Sequence, residues 1–355
     1  MMKLGIEISM EVKKQKKLEY PFSSRPKNGE LLNVKGGIHW LRMPLPIALN
    51  HINLWLLEGD EGFTIIDSGM STDEAKDIWR NIFNGFIPPK KIEKILITHM
   101  HLDHSGLSGW LSSELNIAPH FTKKEYNETQ KIIGGMTDDQ IELTLEYYRK
   151  CGYDKKSEDQ FRERIGLRKS LSSRNVDDII LIKDGETLKL SDGEWKVVIV
   201  EGHSPEHACL YNEDENVFIC GDALLPRITP NVSVNPINPD ANPLESWIKS
   251  LEKIKSSIPN DALVLPSHGY PYVGAHHRID AIIENHFRKL DSVLDAITEP
   301  KCVPDLFSLL FKSEINEHTR VLAVGETMSH LNFLVSKGEI KKTVDENGLY
   351  SFAKT

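Results

Sequence analysis

Residues 97–109 read ITHMHLDHSGLSG, and this stretch narrows the folds open to the chain more than any other. It follows the apolar run KIEKIL and sets His99, His101, Asp103 and His104 within six positions, with glycines close behind. Imidazole nitrogen and carboxylate oxygen are ligands for zinc, iron and manganese. Four such groups at the point where a buried strand gives way to a loop need a rigid sheet edge to hold them. They also need ligands from elsewhere to complete a site.

The chain offers those ligands in pieces: His203 in EGHSPEH, Asp222 in CGDALL and His268 in PSHGYP. Each follows an apolar, strand-like run and is flanked by Gly or Pro, so each belongs where a strand ends and a loop begins. The four cysteines, Cys151, Cys209, Cys220 and Cys302, show no CxxC pairing. That argues for a reducing compartment, and it leaves any metal to histidine and carboxylate.

The pattern of elements agrees with a sheet-based scaffold. Residues 30 to 68 are strand-like, with Gly-Asp-Glu-Gly as a hairpin turn. Ser71 and Glu74 fit a capping box, and Ile78, Trp79, Ile82 and Phe83 share one helical face. Between about 122 and 174 the sequence turns polar and helical, the composition of an insertion. Strand patterns return in DDIILI, ETLKL, EWKVVIVEGHS, NVFICGDALL and DALVLPSHG, with the helix PLESWIKSLEKIKSS before the last. This order predicts an α/β architecture of two half-sheets, each covered by helices. After a Pro-containing break, residues 291–355 read as two helices and an Asn347-Gly348 hairpin, the outline of a winged helix. The expected division is therefore an N-terminal extension over 1–29, a main domain over 30–290 and the tail.

At 355 residues and 39% hydrophobic, the chain is long and apolar enough for one large core and a smaller one. No apolar run approaches a membrane span, and MMKLGIEISMEVKKQKKLEY lacks the apolar centre of a leader. A cytoplasmic protein is expected. The formal charge of −9 disfavours a general nucleic-acid binder, since that affinity rests on phosphate neutralisation. From Lys301 to Thr355, seven Lys plus Arg face seven Asp plus Glu, so the tail lacks the basic excess of a DNA reader. Packing against the core, a homodimer contact or a wall of the cleft suits it better.

Asp67 in IIDSG, the HxHxDH set of His99, His101, Asp103 and His104, then His203, Asp222 and His268 together resemble the motifs of a metallo-β-lactamase-fold hydrolase, in that family's order. The resemblance implies a four-layer αβ/βα sandwich with two divalent ions at one edge of its sheets: zinc first, with iron or manganese also suited. By position, His99, His101 and His203 resemble the ligands of one ion, Asp103, His104 and His268 those of the other, and Asp222 the bridge. Asp67 resembles the family's motif carboxylate, expected to orient ligands and handle a proton. Asp67 and Asp103 are the expected catalytic carboxylates. Two dications sharing a water lower its pKa from about 15.7 to about 7, so hydrolysis by a bridging hydroxide follows.

Three further residues are candidates: His207 beyond His203 and His51 beside Asn50 and Asn53, each for contact with the substrate or support of the ligands, and Arg227 after Asp222, where it could pair with a substrate anion. Tyr147 and Tyr148 could line the cleft, though adjacent helical aromatics usually pack. Glu206 stands where many family members have Gly, as in HSPGH; its carboxylate would repel anionic substrates or pair with the insertion. Within the family, a core with a helical insertion and such a tail is similar to hydrolases of glyoxalase II or endoribonuclease type. An intact His101 argues against the flavodiiron branch. The fewer than fifty residues between Asp222 and His268 leave no room for a nuclease-specific domain. A small or medium acyl substrate, a thioester or ester, is the leading expectation. A phosphodiesterase or endoribonuclease on the same ions is the alternative, and an iron-dependent persulfide dioxygenase a third.

Overall fold

The computed structural model describes residues 18–355 apart from 48, 89, 90, 175 and 318. Residues 1–17 of the expected N-terminal extension, and His318, lie outside the described residues. Two sheets form the centre. The first holds β1 (Leu31–Lys35), β2 (Ile38–Pro44), β3 (His51–Glu58), β4 (Phe63–Ile66), β5 (Ile92–Leu96), β6 (His120–Phe121) and β7 (Ile180–Leu181), bonded in that order. The second runs from β8 (Thr187–Leu190) through β9 (Gly193–Val200), β10 (His207–Asn212), β11 (Val217–Gly221) and β12 (Leu263–Pro266) to β13 (Tyr272–Val273).

Alternation along the strands decides what faces what. In β2 and β3, Trp40 and Trp55 are paired in register and stack at 6.0 Å between the two sheets, with Trp195, Leu210 and Ile219 around them. The intervening Leu41, Met43, Leu54 and Leu56 face outward onto α1 (Asp73–Gly85), through Trp79 and Phe83, and onto Leu111 of α3 (Ser108–Leu115). On the far side, α7 (Pro243–Ser257) and α8 (Ala275–Ala296) bury Trp247, Leu251, Ile279 and Ile282 against the second sheet. The result is the helix, sheet, sheet, helix sandwich expected of the sequence.

Several local readings shift. The N-cap of α1 is Thr72, not Ser71: Thr72 has the extended backbone of a cap, and its hydroxyl accepts from Ala75 N at 3.1 Å. Strand β10 lies outside the strands expected above: HACLYN opens on a histidine rather than an apolar residue, yet all six residues are buried. The Asn347-Gly348 signal does mark a hairpin between β15 (Ile340–Val344) and β16 (Tyr350–Lys354), but the loop spans 345–349, and Asp345 accepts from the backbone of Asn347 and Leu349. A third strand, β14 (Lys301–Cys302), pairs with β16.

The insertion is helical as expected: α4 (Lys123–Gly134), α5 (Asp138–Lys150) and α6 (Lys155–Ser170). Tyr147 and Tyr148 are packing residues, buried in the core that joins the second sheet to the C-terminal helices α9 (Phe307–Leu310) and α10 (Arg320–Ser336). Val324, Met328 and Phe352 belong to that same core as Trp247.

Candidate metal centre

Strand ends build the site. Asp67 follows β4, His99 follows β5, His203 lies just beyond β9, Asp222 follows β11 and His268 lies just after β12. His104 comes from the one-turn helix α2 (Leu102–Ser105), and His101 caps it. The ligand atoms of His99, His101, His203 and Asp222 all lie within 4.8 Å of one another, and so do those of Asp103, His104 and His268. Asp222 links the groups: one oxygen is 3.5 Å from His203 Nε2, the other 3.5 Å from both His104 Nε2 and His268 Nε2.

Three of the outward nitrogens meet an acceptor behind them. His104 Nδ1 donates to Asp67 Oδ2 at 2.7 Å, His203 Nδ1 to the Asn231 carbonyl at 2.8 Å, and His268 Nδ1 to the His51 carbonyl at 2.9 Å. A proton fixed on Nδ1 leaves the Nε2 lone pair pointing inward, the arrangement that supports metal ligation. Three buried atoms at the centre, His104 Nε2, His268 Nε2 and Asp222 Oδ1, have no hydrogen-bond partner among the described residues. Native structures seldom leave such atoms orphaned, so these fit a divalent ion. His99 Nε2 and His101 Nδ1 lie 2.7 Å apart, within hydrogen-bond distance.

The protonation states suit the same purpose. Burial and the surrounding imidazoles hold His99 far below its ordinary pKa, and burial with the nearby His203 brings His101 to about 3. Burial would raise the pKa of Asp222, yet His268 and His104 hold it well below the usual carboxylate range. His104 and His268 go the other way: despite burial, Asp67, Asp103 and Asp222 raise His104 well above normal, and Asp222 and Asp103 raise His268. At each Nε2 a bound cation would stand in place of that proton.

Asp67 organises the base of the site from a left-handed backbone, φ +65°, a strained conformation for a non-glycine residue. Its Oδ1 accepts from Thr98 N at 2.8 Å, and both oxygens accept from the Thr98 hydroxyl.

The substrate candidates separate. His207 is buried behind His99, ring against ring at 4.6 Å; its Nε2 accepts from Asp222 N at 3.1 Å and its Nδ1 faces Cys209 Sγ. Of its two expected roles, His207 has the geometry of the supporting one: it buttresses Asp222 from beneath, because its ring belongs to the first residue of buried strand β10. His51 does border the site, its ring 6.1 Å from that of His268. Arg227 is exposed on the loop that follows Asp222.

Glu125, absent from the sequence reading, ties the insertion to the site. Fully buried on α4, it accepts from Met100 N at 2.9 Å, from the Ser204 hydroxyl at 2.7 Å and from Glu206 N at 2.6 Å, so one carboxylate grips the loops of His99, His101 and His203. One acid in a polar helix gives no signal of this. Glu206 resolves in favour of the insertion: it accepts from Lys124 N and pairs with Lys124 Nζ at 3.3 Å.

Residues 48–268 match the Metallo-beta-lactamase superfamily, and residues 290–355 match the Metallo-beta-lactamase-like, C-terminal domain. The chain is 26% identical over 330 residues to the probable metallo-hydrolase YqjP of Bacillus subtilis, covering 87% of this chain and 96% of that protein. The human acyl-coenzyme A thioesterase MBLAC2 is 22% identical over 199 residues, 53% of this chain and 63% of its own. A beta-lactamase domain protein from Burkholderia ambifaria superposes with a TM-score of 0.88 at 32% identity, covering 95% of this chain and 98% of that one.

Proposed function

The chain belongs to the metallo-beta-lactamase superfamily, and from that premise we propose that it hydrolyses a small or medium acyl substrate, a thioester or ester, with two divalent ions. Zinc is the first choice, iron and manganese the others. His99, His101 and His203 are assigned to one ion, Asp103, His104 and His268 to the other, and Asp222 to both. Such ions polarise an acyl carbonyl and lower the pKa of water to about 7.

The chain's own part is orientation and proton handling. Asp67 and the carbonyls of Asn231 and His51 aim three imidazoles. Asp103, its Oδ2 3.4 Å from His268 Nε2, is the second carboxylate assigned a catalytic part, and Asp67 keeps the proton on His104. The observation that carries the reading is the set of three orphaned buried atoms, His104 Nε2, His268 Nε2 and Asp222 Oδ1, converging between two ligand groups.

An acyl substrate is favoured by the similarity to an acyl-coenzyme A thioesterase and by exposed Ile47, Leu49 and Ile228 on the loops beside His51 and Asp222, an apolar lining for an acyl chain. We assign residues 30–290 to the hydrolase domain with its insertion, and 291–355 to a winged-helix-like unit that serves as a wall of the site or a dimer contact. The proposed setting is cytoplasmic; no helix among the described residues is long and apolar enough to cross a membrane. The test is a panel of thioesters, oxygen esters, a β-lactam, a bis-aryl phosphodiester and single-stranded RNA on metal-loaded protein. Preferential thioester or ester turnover supports the reading; turnover of the phosphodiesters alone replaces it.

A further inference from the structure

Arg42 is a buried cation with no acid to answer it. It sits on β2, 7% exposed, at the end of the strand nearest His51. Its Nη2 donates to Asn50 Oδ1 at 3.2 Å. Among the described residues its Nε has no partner, and no carboxylate lies within ion-pair distance of it or of exposed Arg25. Arg25 precedes the segment that bridges to Arg42 at Asn28 and whose Gly29 N donates to the Arg42 carbonyl. Other arginines of this acidic chain find acids: Arg80 pairs with Asp77 and Arg149 with Glu142 and Glu158. Burial, and then the positive charge of Arg25, both depress the pKa of Arg42, so the two cations repel each other in partly dry surroundings.

An uncompensated guanidinium in such a place is costly, and an anion arriving there relieves it. The guanidinium's flat fork of donors matches a carboxylate or phosphate in two parallel bonds. The place is fixed relative to the metal centre through short steps. Asn50 Oδ1, which takes the Arg42 bond, also pairs with His51 Nδ1 at 2.9 Å; the His51 ring is 6.1 Å from that of His268, and its carbonyl holds His268 Nδ1. Arg42 therefore stands to one side of the candidate metal ligands, beyond His51.

Resting on the acyl hydrolase reading, we propose that Arg42 and Arg25 form an anion subsite on the His268 side of the metal centre, and that the substrate is an acyl ester or thioester carrying a carboxylate or phosphate remote from its scissile bond. The subsite gives the enzyme a handle on the substrate apart from the reacting carbonyl. Arg227, exposed on the loop after Asp222, is the rival position for such a contact.

The test compares the metal-loaded wild type with Arg42→Gln, Arg42→Lys, Arg25→Gln and Arg227→Gln on three acetyl thioesters: neutral thiophenol, 3-mercaptopropionate for the carboxylate arm and coenzyme A for the phosphate arm. The expected result is that Arg42→Gln lowers the ratio of kcat/KM for one anionic thioester over the neutral one about tenfold or more, through KM, the size of one lost charged hydrogen bond. Arg42→Lys restores part of it, and Arg25→Gln lowers the ratio by a smaller factor. Arg25 is exposed, so its variant keeps the test decisive should Arg42→Gln fail to fold. An equal response of charged and neutral substrates overturns the subsite, as does a ratio that only Arg227→Gln moves. Absence of turnover on every thioester by the wild type overturns the hydrolase reading itself, and the subsite with it.

Discussion

His104 donates its Nδ1 proton to Asp67 Oδ2 across 2.7 Å, and that bond decides which ring nitrogen faces the centre. Without the acceptor the ring is free to change tautomer and tilt, and its Nε2 loses its aim. Asp67→Ala is therefore expected to weaken divalent-ion binding about 10- to 100-fold, as loss of such supporting partners does. Chelator competition followed by metal counting should show one ion lost before the other, since Asp67 touches His104 and not the three histidines assigned to the other ion.

Glu125 makes a different prediction, because it spans both loops of the other ligand group. In Glu125→Gln the amide nitrogen must meet one of two backbone N–H groups, Met100 or Glu206, and a donor then faces a donor. The first ion is expected to bind at least about tenfold more weakly, with kcat falling more than KM rises. Ser204→Ala, which removes one of the three bonds, should reproduce a fraction of this. Wild-type metal affinity in Glu125→Gln would show that α4 only fills space.

Gly202, beside His203, has φ +112°, and a Cβ there would come within 2.6 Å of Trp247 Cβ and 2.7 Å of the Pro243 carbonyl. Neither neighbour is a flexible chain end, so Gly202→Ala must push the His203 loop off α7. A loss of about 3 kcal/mol or more is expected from strain and overpacking together, read as a lower midpoint in denaturant.

Away from the centre, His286 on α8 and His330 on α10 meet at 3.2 Å inside the core that joins the tail to the sandwich. His330 Nδ1 donates to the Glu326 carbonyl, so its Nε2 accepts from His286, and both rings are neutral. Burial lowers the pKa of each, with neighbouring His330 and Lys289 adding to the effect at His286. Above the unfolded pKa of about 6.5 neither state binds the extra proton; below it the unfolded chain does and the folded chain resists, so stability falls as pH falls. His286→Gln keeps a donor for His330 and removes one titration. Between pH 7.5 and 5 its midpoint should fall less steeply than the wild type's, and equal slopes would contradict the neutral pair.

The seven candidate ligands and the strands before them were legible because buried runs ending in Gly, Pro and a metal-philic residue leave a signature in composition. The layer order was legible too, since strand and helix periods differ. What escaped depends on distance in sequence. Glu125 reaches residues 79 and 81 positions away, and the Asn231 carbonyl holds a histidine 28 positions earlier. A backbone acceptor carries no side-chain signal at all. His207 was open between cleft and support for a related reason: its residue type suits either, and only its place at the start of buried β10 puts it behind the ligands.

The most direct measurement is metal stoichiometry together with thioester turnover in the wild type and in Asp222→Ala. Asp222 has one oxygen toward each ligand group, so the account predicts two ions per chain in the wild type, at most one in the variant, and activity lower by at least about a hundredfold. Two ions retained in Asp222→Ala with activity near the wild-type level would contradict a centre in which the two ligand groups work as one.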